Sequence, residues 1–195
     1  MGLDSIELVM EIEKYFGIRI PDSEAENIYT IQKMVDSVAV HLKITNESME
    51  LRDKVLYKLS QAFQELGWAT TEIELTHLAS AYIPSNDKKV WSKLQNSLSL
   101  SIPEIEIVRK GSNKISDKLK TLINWTPSYE WDQITIEQFV AAICSNNYDE
   151  LIDRNNIVTK YEIYIAIAGI TVDKIGVDYY EIAPDKSFTT DLGID

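Results

Sequence analysis

The chain has 195 residues, enough for one or two domains, and 45% of them are apolar, enough to bury a core. Its net charge of −12 argues against a nucleic-acid partner and for basic protein partners. No apolar run approaches membrane-spanning length and no signal-peptide pattern is visible, so the expected compartment is the cytoplasm.

Residues 6–16 place Ile6, Leu8, Val9, Met10, Ile12 and Phe16 on a helical period, with Glu7, Glu11 and Lys14 opposite. Asp4 is the predicted N-cap, Glu7 would close a capping box with it, and Gly17 ends the helix. After the Ile20-Pro21-Asp22 corner a short helical turn is predicted near 23–28. Thr30 then caps a helix with Ile31, Met34, Val35, Val38 and Leu42 on one face, and Asn46-Glu47-Ser48 reads as a linker. Leu51, Val55, Leu59, Phe63 and Leu66 mark the next helix, with Gly67 as its stop.

The middle of the chain repeats the first piece at low similarity. Asp87–Leu94 parallels Ser5–Ile12, and Ser101-Ile102-Pro103-Glu104 parallels Arg19-Ile20-Pro21-Asp22 at the same offset of 82 residues. Thr135–Val140 likewise parallels Thr30–Val35, after an extra stretch rich in Asn, Ser, Trp and Pro around Gly111 to Trp131. Cys144 is the sole cysteine, which excludes an internal disulfide, and its apolar neighbours make it a small buried hydrophobe rather than a nucleophile. Trp68, Trp91, Trp125 and Trp131 all fall in this middle unit and read as core or interface.

The segment Tyr161–Ile170 is β-branched and partly alternating, so propensity alone favours a strand. No second strong strand exists to pair with it, and helix is the better reading. A long loop follows Gly176, through Pro184 to Asp195. The fold expected is all-α. His41 and His77 stand apart from other ligand types, and neither a Gly-rich phosphate loop nor a Ser/His/Asp arrangement is present, so no enzyme is expected.

Charge follows the same division. Residues 1–49 carry nine acids against four bases, and residues 150–195 carry the same, whereas residues 50–149 carry thirteen against eleven. The two ends are acidic together and the middle is nearly neutral.

Joined end to start, the two termini make one motif. The chain ends Ser187-Phe188-Thr189-Thr190-Asp191-Leu192-Gly193-Ile194-Asp195 and begins Met1-Gly2-Leu3-Asp4-Ser5-Ile6-Glu7-Leu8-Val9-Met10. The joined stretch resembles the loop and second helix of an acyl carrier protein, S-F-x-x-D-L-G-x-D-S-L-D-x-V-E-L-V-M. The resemblance implies a four-helix bundle built from both ends: residues 1–45 as helices two to four, and residues 155–195 as helix one and its loop, completed in cis or by swapping between chains into a homodimer. Residues 50–149 would form a second, diverged carrier-like domain.

The same resemblance implies function. In that family a transferase attaches 4′-phosphopantetheine to a serine at the start of helix two, where free N–H groups and the dipole suit the phosphodiester. The arm then carries acyl groups as thioesters in fatty-acid or polyketide-type synthesis; the alternative is an unmodified carrier-like interaction or scaffold protein. Asp4-Ser5-Ile6 resembles the Asp-Ser-aliphatic triplet, making Ser5 the candidate attachment point, with Asp191, Leu192, Gly193 and Asp195 as the remaining motif. Aligning Leu3–Met10 on L-D-x-V-E-L-V-M instead puts the serine position at Gly2. The resemblance also implies recognition of Glu7 and Glu11, with Glu13 as a further candidate, by basic patches on the transferase and acyl-handling enzymes. The corresponding middle helix reverses the sign, with Lys88, Lys89 and Lys93, lacks an Asp-Ser pair at Ser85-Asn86-Asp87, and is expected to bind something acidic.

Overall fold

The computed structural model describes residues 3–69, 72–84, 88–103 and 131–194. Gly2, Asp195, Ser85-Asn86-Asp87, Trp125 and most of the stretch from Gly111 to Trp131 therefore lie outside the described residues. Among the described residues there are helices and no strand, so the all-α expectation holds. In chain order they are α1 (Leu3–Phe16), α2 (Asp22–Ala25), α3 (Ile31–Leu42), α4 (Glu50–Glu65), α5 (Lys88–Leu98), α6 (Ile136–Asn146), α7 (Tyr148–Leu151) and α8 (Lys160–Ile175). Short 3-10 turns occur at Ala79–Ala81, Trp131–Gln133 and Tyr179–Glu181.

The ambiguous tail segment is helical, and α8 is the hub. Thr159 and Glu162 form a reciprocal capping box at its start, and Gly176 at φ 82° ends it. α1 and α3 pack on α8 within the same chain, and α6 and α7 pack on it from the middle of the sequence. Ile163 and every residue from Ile165 to Thr171 are buried. A helix enclosed on several sides needs no polar face, which is why its sequence lacks amphipathic contrast.

Gly169 lets α6 and α7 come close: a Cβ there would stand 2.2 Å from Tyr148 Cδ1 and 2.6 Å from the Ser145 carbonyl oxygen. Arg154, in the connector before α8, donates to the carbonyls of Lys14 and Tyr15 and lies over the Tyr15 ring. It thus satisfies two of the free carbonyls at the end of α1. The buried side chains of the two ends and of the middle form one hydrophobic cluster.

The local geometry occurs twice. The amides of Ile31 and Gln32, free at the start of α3, donate to the carbonyls of Lys186 (3.0 Å) and Pro184 (2.8 Å), and Phe188 N–H donates to Tyr29 O at 3.1 Å. At the start of α6, Ile136 and Glu137 donate to His77 (2.7 Å) and Leu75 (2.9 Å), and Ala79 N–H donates to Ile134 O at 2.8 Å. Isolated antiparallel bridges Thr30–Ser187 and Thr135–Leu78 sit at matching places. α8 and α4 are both 16 residues long, and left-handed Gly176 and Gly67 follow them. α1 is followed by Gly17 at φ 64°, and α5 by Ser99 at φ 54°. Ile20 and Ile102, the two corner isoleucines, are both buried.

Candidate functional site

α1 begins at Leu3, so Asp4 stands inside the first turn rather than capping it from outside. The expected Asp4–Glu7 capping box is not formed, because the helix starts ahead of both residues; Asp4 instead complements the positive end of the helix dipole. Ser5 lies within α1, two residues past Leu3, half-buried, and it borders a cavity of about 450 Å³. Leu8 and Val9 of α1, Met34 of α3, Ile28 and Tyr29 line the cavity from the head of the chain, and Phe188, Thr189 and Ile194 line it from the tail. The two halves of the split motif thus meet at one cavity.

The tail motif builds its own wall. Asp191 Oδ2 accepts from Ser187 N–H at 2.8 Å, and the amides of Asp191 and Leu192 return to the Ser187 carbonyl at 3.2 and 3.1 Å. Gly193 at φ 67° takes the left-handed turn that sends Ile194 back, where its N–H donates to Phe188 O at 2.8 Å. Leu192 and Ile194 are buried. Asp191, Leu192 and Gly193 therefore shape the loop, while Gly2 and Asp195 lie outside the described residues.

The acidic residues of α1 divide by role. Glu7 Oε2 pairs with Lys174 Nζ of α8 at 2.9 Å and holds that ammonium's pKa above its ordinary value. Glu11 pairs with Lys14 at 3.1 Å, and Glu13 Oε1 accepts from Ile20 N–H at 2.6 Å, fixing the corner after α1. Ile6 (44% exposed) and Met10 (59%) lie one turn apart on the same helix and face solvent. The exposed surface of α1 is thus mixed apolar and acidic. Lys88, Lys89 and Lys93 of α5 are exposed as well, on a helix that carries no acid.

The residues read as structural fill that role. Cys144 is buried, and burial pushes its thiol up to about 12. Trp68 and Trp91 pack against the core, and Trp91 meets Phe139 at 5.8 Å between centroids. His41 Nε2 lies 3.1 Å from Glu24 Oε2, and His77 Nε2 lies 3.5 Å from Glu74. Lys174 and Arg154 are contributors that sequence reading passes over, because charged residues at helix ends and in connectors carry no periodic signal. The Thr159-x-x-Glu162 box, by contrast, is readable from the sequence alone.

Comparison with known proteins finds curated relatives for part of the chain. Over 40 residues, 20% of this chain, the sequence is 54% identical to the acyl carrier protein of Rubrobacter xylanophilus. The chain spans about half the length of that curated relative, 49%. No protein-family model matches, and no solved structure matches. Part of the chain is thus similar to an acyl carrier protein, and the fold around it is all-helical.

Proposed function

We propose that the chain is an acyl carrier whose bundle is assembled from its two ends, holding acyl groups as thioesters on a 4′-phosphopantetheine arm for fatty-acid or polyketide-type synthesis. The observation that carries this reading is the shared cavity: Ser5 of the head and Phe188, Thr189 and Ile194 of the tail border one apolar space. An arm attached at Ser5 would leave the helix beside a place where an acyl chain escapes water. Catalysis is left to the partners. A transferase and acyl-handling enzymes would approach α1 with basic patches, meeting Glu7, Glu11 and the exposed Ile6 and Met10.

The middle segment is read as a second carrier-like unit without an attachment site. Its support is the matching of α4 to α8, α5 to α1 and α6 to α3, with the same loop-to-helix hydrogen bonds. Its exposed lysines would engage an acidic helix of a partner.

One observation favours the alternative, an unmodified carrier-like interaction protein. Ser5 lies inside α1, with Leu3 and Asp4 already helical ahead of it, whereas the family's attachment serine stands at the start of that helix. Intact mass after incubation with coenzyme A and a broad-specificity transferase separates the two readings. A gain of one phosphopantetheine that vanishes in Ser5→Ala is expected; no gain in the wild-type chain leaves the interaction role.

A further inference from the structure

A separate cavity of about 520 Å³ lies where the closed bundle meets the middle segment. Its walls are Val35 of α3, Ala141 of α6, and Tyr161, Tyr164 and Ala168 of α8, with Ile182 from the tail loop. The volume falls in the range of small-molecule sites, and a junction between packed units is where such sites concentrate.

Charged side chains stand at the edge of this space, Glu47 and Glu137 among them. Arg52 and Lys160 stand among its lining residues, each only partly exposed. Arg52 reaches Asp53 at 2.8 Å and Glu137 at 3.9 Å; Lys160 reaches Glu47 at 3.0 Å and Asp36 at 3.8 Å. Such partly exposed pairs contribute little to stability.

We propose that this junction cavity binds an amphipathic monocarboxylate: an aliphatic chain against the tyrosine and alanine walls, and a carboxylate head exchanged into the Arg52 and Lys160 pairs. A head of higher charge is disfavoured, because four carboxylates of the chain already flank the two cations. The small side chains of Ala141 and Ala168 admit a narrow flexible chain more readily than a broad ring system. This site needs no pantetheine arm and stands whether or not Ser5 is modified.

Calorimetric titration of the full chain with sodium octanoate and, separately, with 1-octanol tests it. Octanoate is expected to bind with one molecule per chain. The double variant Arg52→Gln/Lys160→Gln should weaken octanoate about tenfold, the equivalent of one charge-assisted hydrogen bond, and leave octanol within about twofold. Ala141→Trp should remove both ligands from the cavity, with circular dichroism reporting the fold. Absence of octanoate binding by the wild-type chain overturns the proposal, as does equal weakening of octanoate and octanol by the charge variant. Binding unchanged in a folded Ala141→Trp chain places the ligand elsewhere and overturns it too.

Discussion

Ser99 holds a left-handed conformation at φ 54°, where the matching turn after α1 uses Gly17. A side chain in that region costs about 1 kcal/mol, so Ser99→Gly should raise stability by up to that amount in a urea titration. Gly169→Ala should act in the opposite direction. Its methyl would collide with the Tyr148 ring and a backbone carbonyl, and overpacking of this kind costs about 1–3 kcal/mol. Glu24 supplies a pH signature. The Ser37 hydroxyl, donating at 2.6 Å, and the His41 ring beside it hold the Glu24 pKa below its ordinary value. Its carboxylate therefore stabilises the fold above the unfolded-state pKa, and that contribution is lost as pH falls through the lowered folded value. Glu24→Gln should flatten the acid limb of a stability–pH profile; an unaltered limb would assign the acid sensitivity to other carboxylates.

At the scale of elements, α8 concentrates the fold's dependence. Thr159→Ala removes half of a capping box and should cost about 1 kcal/mol. Ile167→Ala, at a fully buried position, should cost about 2–5 kcal/mol and loosen the packing of α1, α3 and α6 together, as read by hydrogen exchange. The helices on the surface of the fold were legible in sequence because each has a polar face. The Ile31, Met34, Val35 and Val38 stripe of α3 is buried as its spacing predicts, and Thr30 caps it by accepting from Lys33 N–H at 3.2 Å. α8 was legible only from the lack of a partner strand and from the family resemblance, since packing by several neighbours erases its periodicity. Asp4 misled as a cap because the helix begins at Leu3, and a boundary one residue away changes which side chain sits outside the first turn. The candidate cavity could be anticipated from the split motif, but the pairing of Glu7 with Lys174 could not. That contact depends on how α8 is rotated against α1.

At the scale of the whole molecule, one apolar cluster spans the acidic ends and the near-neutral middle, so both units should unfold in a single transition. The sign reversal between α1 and α5 gives the surface two differently charged helices in matching places. Exchange of Lys88, Lys89 and Lys93 for glutamate should weaken binding to an acidic carrier protein, with the loss shrinking as salt rises. The proposed closure of the bundle within one chain is tested most directly by methyl nuclear Overhauser effects between α8 and α1, collected at a concentration where light scattering reports the mass. The account predicts cross-peaks between methyls of Lys160–Ile175 and Leu3–Phe16 in a uniformly labelled sample of monomer mass, and none between molecules in a sample mixed from two labelling patterns. Absence of those cross-peaks in the uniformly labelled chain would contradict it.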